Sequence, residues 1–203
     1  PLPALVAQPR FAVAVLAGAV GYAVMALVMT ATPLAMHHHA HSFPDTAFVI
    51  EWHVLGMFAP SFVTGHLIRR FGVLHILLAG ALLNLACVAA NLAGTELWHF
   101  WTGLFLLGVG WNFLFVGGSA LLTETYEVPE KAKAQAFNDF SVFTLVTVAS
   151  LSAGALQFHF GWRVVNLGVL PPILLVLGAL LWLRRRERRG GAGAARPHRG
   201  PRP

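Results

Sequence analysis

The amino-acid sequence predicts an all-α polytopic membrane protein: a six-transmembrane-helix bundle with both termini on the same side of the bilayer. Three observations predict it. Hydrophobic residues make up 57% of the 203 and charged residues only 11%, where a soluble domain carries about 25% charged residues. Apolar runs of about 20 residues, the length needed to cross a hydrocarbon core of about 30 Å, recur along the chain. The basic residues between and beyond these runs fall on one side, with a single exception. An ordinary water-soluble enzyme is excluded by the first observation, because such a chain has too little polar surface to face water.

A short lead-in, 1–10, precedes the first run. The first span, about 11–35, carries no charge and closes at Thr32-Pro33. The second, about 48–68, follows the polar break His41-Ser42-Phe43-Pro44-Asp45. The third, about 73–92, starts beyond Arg69-Arg70 and ends before Gly94-Thr95-Glu96. The fourth, about 98–122, exits at Glu124, Glu127 and Glu130. The fifth and sixth cover about 137–158 and 164–183, and Pro171-Pro172 should kink the sixth by breaking its hydrogen-bond ladder. Residues 184–203 form a basic tail predicted to be disordered. Pro1 in place of a starting Met leads to the expectation of a fragment or processed piece.

Charge sets the orientation. Six spans place the termini and the links at 69–72 and 123–136 on one side, with thirteen of the fourteen basic residues; Arg163 alone lies opposite. Cytoplasmic segments carry the excess of Lys and Arg, so both termini are predicted to be cytoplasmic and the location is a bacterial inner (plasma) membrane. Trp52, Trp98, Trp162 and Trp182 fall near span ends, as an aromatic belt requires. Eight of the basic residues lie in the last twenty positions, so the net charge of +6 makes no basic face for nucleic acid. The single Cys87 forms no internal disulfide, and no phosphate-binding G-x-x-x-x-G-K-[ST] loop is present. No cofactor is expected.

The link after the second span reads Gly65-His66-Leu67-Ile68-Arg69-Arg70-Phe71-Gly72. It resembles the signature loop of the major facilitator superfamily, G-x-L-x-D-R-x-G followed by basic residues. Gly65, Leu67, Arg70 and Gly72 match; Arg69 replaces the acidic residue, and Val73 and Leu74 replace the basic ones. The fourth span, with Gly103, Gly108, Gly110, Gly117 and Gly118, and the link from Glu124 to Asn138 are also similar to that family. Together with the basic end of the chain, the resemblance implies the C-terminal six-helix half of a twelve-helix permease. Such a half needs an N-terminal six-helix partner half and a small-molecule solute, moved by alternating access. It also implies that the first, second, fourth and fifth spans line the pathway.

Polar groups at membrane depth are expensive and mark candidate sites. The solute candidates are Tyr22, Glu51, His53, Trp111, Asn112, Thr144 and Thr147, with Trp111 and Phe113 suited to stacking on a flat solute. Glu51 is the candidate for proton coupling, since partial desolvation draws a carboxylate pKa toward neutrality; an interfacial Glu reaching headgroup water is the alternative. Asp139 is a cap for the fifth helix, a proton carrier or, by the resemblance, a latch to an arginine in the partner half. His37, His39 and His41 are weak candidates for a transition metal, the alternative being a polar loop. A complete six-helix homodimer, channel or lipid-binding scaffold is the second reading. A hydrolase built on Ser119 lacks a nucleophile motif.

Overall fold

The computed structural model describes residues 2–194. Within them the chain is all helix: α1 (Leu2–Val6), α2 (Pro9–His38), α3 (Phe43–Phe58), α4 (Ser61–Phe71), α5 (Val73–Ala93), α6 (Leu97–Thr123), a single 3₁₀ turn at Val128–Glu130, α7 (Lys131–Gly168) and α8 (Leu170–Ala194). By length and composition four stretches can cross a membrane: α2, α5, α6 and the continuous run Val128–Arg189. The pair α3 and α4, bent by 42°, makes a fifth if the two count as one span.

Several boundaries differ from those predicted, each for a local reason. Helix α2 passes through Pro33 to His38. The Thr32 hydroxyl donates to Val28 O at 2.7 Å, the kind of side-chain bond that lets a membrane helix tolerate proline. The polar segment read as a break starts α3. Ser42 accepts from the Asp45 amide, Asp45 accepts from the Ser42 amide, and Pro44 occupies the first turn, a reciprocal cap with proline where no amide is needed. Helix α7 starts at Lys131 rather than near 137, so Asn138 and Asp139 lie inside it and neither caps its N-terminus. Pro171 and Pro172 stand in the first turn of α8, not mid-helix. Helix α8 runs on to Ala194, so the first part of the predicted disordered tail is helical; 195–203 lie outside the described residues.

The run from Lys131 onward is broken at Gly161, whose backbone is non-helical at φ 76° and ψ 173°, a conformation open mainly to glycine. The chain reverses there. Phe11 meets Phe137 near the start of the run, and Gln157 and Gly161 share a cavity with Leu34, His37 and His38 at the far end of α2. Glu187 then returns to Arg10.

Helices α3, α6, α2 and α7 lie side by side in that order, with α5 packed behind α6 and α8 behind α5 and α2. Helix α5 is tied to the last part of α7 by Asn91, whose amide donates to Asn166 Oδ1 at 2.8 Å. This buried polar pair joins α5 to the segment beyond Gly161. Between lipid-facing helices, hydrophobic drive is absent and close packing with such bonds supplies the cohesion. Among the described residues nothing covers the face of the four-helix layer away from α5 and α8; Phe58 of α3 and Phe62 of α4 stand exposed at one edge and Phe140, Phe143 and Leu151 of α7 at the other.

Candidate solute-binding face

Four aromatic rings from three helices meet in the layer. On α6 the spacing of four residues puts Trp111 and Phe115 on one face, where they stack with centroids 5.2 Å apart and planes within 8°. Tyr22 of α2 stands edge-on to both, at 5.3 Å from each, and Phe58 of α3 lies edge-on to Trp111 at 6.1 Å. Edge-to-face and offset contacts at such distances suit the aromatic quadrupole. Trp111 is itself buried, and its indole N–H has no acceptor among the described residues. Phe113, expected with Trp111 to stack on a flat solute, has its Cβ against α5: a side-chain atom on Gly80 would lie 3.0 Å from it. Phe115 and Phe58 were missed. The first was legible from its spacing to Trp111; the second depends on how α3 packs.

Asn112 is placed differently from the open contact expected of it. It is buried, its amide donates to Met57 O at 2.7 Å and to Ser61 Oγ at 2.6 Å, and its Oδ1 lies 2.7 Å from the Thr64 hydroxyl. These partners bracket the bend between α3 and α4, where Pro60 has no amide to give the ladder. The Asn112 side chain donates to the Met57 carbonyl, left without a backbone donor by the bend; this is how membrane helices accommodate a break. His53 is likewise buried, with Nδ1 donating to Leu104 O at 2.7 Å; a carbonyl only accepts, so the proton sits on Nδ1. It joins α3 to α6 rather than facing a cavity.

Glu51 is exposed on α3, one residue from Trp52, which packs edge-on to Trp101 and Phe105. Thr144 and Thr147 are exposed on α7, where they line an open hollow of about 460 Å³ with Asp139, Phe140 and Phe143. The Thr147 hydroxyl donates to Phe143 O of its own helix at 2.7 Å, and Asp139 accepts from Asn138 Nδ2 at 3.2 Å. The structure thus brings Tyr22 and Trp111 together, and Asp139, Thr144 and Thr147 together, while Glu51 stands at the opposite edge of the layer from α7.

The signature-like loop spans the end of α4. Gly65 is exposed, Leu67 is half-buried, and the Arg70 guanidinium lies 5.4 Å from the Phe71 ring centroid. Gly72 at φ 86° makes the turn that starts α5 at once. At the other end of the layer, His37 and His38 close α2. The rings of His39 and His41 both pack on Phe100, and His41 Nε2 donates to Thr95 O at 2.7 Å. His37, His39 and His41 do not converge: among the described residues no three His, Cys, Asp or Glu side chains could hold a metal ion. Ser119 is exposed and has no histidine partner among the described residues.

Comparison with known proteins agrees with this architecture. The profile of the Major Facilitator Superfamily matches residues 14–203. The riboflavin transporter RfnT of Brucella anthropi is 45% identical over 181 residues, covering 89% of this chain and 46% of that protein. Two uncharacterized MFS-type transporters of Bacillus subtilis, YdeG and YddS, are 32% and 30% identical, each over 80% of this chain and 38% of the relative. The chain therefore spans less than half the length of the relatives it matches, and no solved structure matches it. With a profile match over nearly the whole chain and packed apolar helices that suit it, this chain belongs to the major facilitator superfamily, as a multi-pass membrane transporter sequence and not an enzyme.

Proposed function

We propose that this chain is the C-terminal six-span half of a secondary active transporter for a flat heteroaromatic solute of the riboflavin class. The observation that carries the reading is the ring cluster of Tyr22, Trp111, Phe115 and Phe58 in the layer with the open face. The 45% identity to a riboflavin transporter supports the solute class. A flat ring system gains from offset stacking and edge contacts, and the orphan indole N–H of Trp111 suits a solute carbonyl.

The six-span count rests on reading the run after Lys131 as two passes folded at Gly161, and α3 with α4 as one. Cytoplasmic termini follow from the one-sided basic residues. Assignment to the C-terminal half rests on the degenerate loop with Arg69 in the acidic position and on the arginine-rich run 184–189 that follows the last span. The open face of the layer, bearing Asp139, Thr144 and Thr147, then meets the other half, and Asp139 latches to an arginine there when the cytoplasmic side is closed. Glu51, exposed near the opposite end, carries the coupled proton.

Uptake of radiolabelled riboflavin into proteoliposomes containing the full-length gene product tests the reading. Trp111→Ala should cut uptake at least tenfold while leaving the purified protein monodisperse, and Glu51→Gln should abolish the response to a pH gradient. Absence of flavin uptake by the wild type sinks the solute class. Undiminished pH-driven uptake by Glu51→Gln removes that residue from coupling.

A further inference from the structure

A second site lies at the opposite end of the bundle from the histidines, where the start of α2, the α4–α5 turn and the exit of α8 meet. There Arg10, His75, Arg184, Glu187 and Arg188 surround a cavity of about 390 Å³ floored by Gly72 and the first turn of α5. Arg10 is neutralised, pairing with Glu124 at 3.1 Å and Glu187 at 2.8 Å. Arg184 is not: its Nη2 donates to His75 Nε2 at 2.9 Å. A guanidinium always donates, so this His nitrogen must be the bare one and the imidazole neutral. The partner that orients Arg184 therefore leaves its charge uncancelled. Among the described residues neither Arg184 nor Arg188 lies within ion-pair distance of a carboxylate.

Two further features point the same way. Helix α5 starts at Gly72 with no side-chain cap, so its first amides are unsatisfied donors at the positive end of a 21-residue helix. Leu183 is buried at the end of the apolar run, and the Arg186 guanidinium sits 5.6 Å from the ring of Trp182. That puts Arg184 at the depth where aromatic belts and headgroups meet.

We infer that this cavity binds a phosphate group, held by Arg184 and Arg188 over the first turn of α5, and that its depth suits the phosphate of an anionic lipid headgroup. Basic pockets between helices at the cytoplasmic surface take such headgroups. The site is separate from the solute face and does not depend on which solute is carried.

The test measures thermal unfolding of the full-length gene product in detergent against added phosphatidylglycerol, phosphatidylcholine or inorganic phosphate. Phosphatidylglycerol should raise the unfolding temperature of the wild type and phosphatidylcholine should not. Arg184→Gln with Arg188→Gln should weaken the midpoint for phosphatidylglycerol by about twenty-five-fold, from about fivefold per arginine near a charged surface. The pair Arg185→Gln with Arg189→Gln removes the same charge outside the cavity and should weaken it far less. Stabilisation by millimolar phosphate, lost in the Arg184 and Arg188 pair, supports the site with a soluble anion as the source. Equal losses in the two pairs would mean diffuse attraction to a basic surface and overturn the proposal, as would stabilisation by neither phosphate source.

Discussion

Helices α6 and α7 carry similar raw material, apolar spans studded with small and hydroxyl residues, yet they are used in opposite ways. Every glycine along the middle of α6 is a contact. A side-chain atom on Gly108 would lie 2.6 Å from the His53 carbonyl oxygen, one on Gly118 3.1 Å from Ala14 O, and one on Gly110 2.5 Å from the Asn84 amide nitrogen. On α7 the corresponding atom at Gly154 finds nothing nearer than a Leu34 methyl at 3.9 Å, and Phe140, Phe143 and Leu151 stand exposed. The polar side chains divide in the same way. Asn112 on α6 is spent on neighbouring helices, while Thr144 and Thr147 on α7 face an open hollow. Small residues thus occur both in a close-packed interface and on a surface left open among the described residues.

This contrast breaks or sharpens in measurable ways. The largest effect should come from Asn112→Leu, which strands the carbonyl of buried Met57 inside the bundle. Each buried group left unpaired costs about 1–3 kcal/mol, so unfolding in detergent should shift by several degrees, whereas Thr147→Val on α7 should barely move it. Equal shifts would erase the distinction between the helices. Next comes Gly108→Ala, expected to cost about 1–3 kcal/mol because the blocking atoms are backbone and cannot swing aside. Gly154→Ala, with room to spare, should be neutral or gain about 0.5–1 kcal/mol from its helical position; a loss there equal to that of Gly108→Ala would show a tight contact on α7 as well.

Gly161→Ala should cost about 1 kcal/mol by forcing a side chain into positive φ, measured by the same unfolding experiment; no cost would mean the reversal is made another way. The smallest effect is at His39. Partial withdrawal from water, then the neighbouring His38 and His41, lowers its pKa below the ordinary 6.5. A histidine whose folded pKa is lowered stabilises above the unfolded value and loses that contribution as pH falls through the folded one. The protection of amides at the end of α2, relative to their intrinsic exchange rate, should therefore fall slightly below pH 6.5, and less so in His39→Asn. An unaltered pH dependence in that variant would place the sensitivity elsewhere.

Much of this was legible in the residues themselves. Composition and run length dictate helices in a bilayer, because an unpaired backbone in hydrocarbon is too costly for any open alternative. The family is legible in Gly65, Leu67, Arg70 and Gly72, since a tight turn with positive φ at Gly72 leaves a sequence mark. Helix ends were less so. Charged residues such as Lys131 and Lys133 read as a loop but extend α7 beyond the apolar run, and a hydropathy pattern registers only where the lipid stops.

The site divides along the same line. Tyr22 and Trp111 were readable as large polar-tipped rings at membrane depth, but nothing in the chain said that Asn112 would be consumed by a bend some fifty positions earlier. Sequence determined which groups enter the membrane, because that depends on each span's own composition. Which of those groups remain free was decided only by tertiary structure, because a buried polar atom is satisfied by whichever helix packs against it.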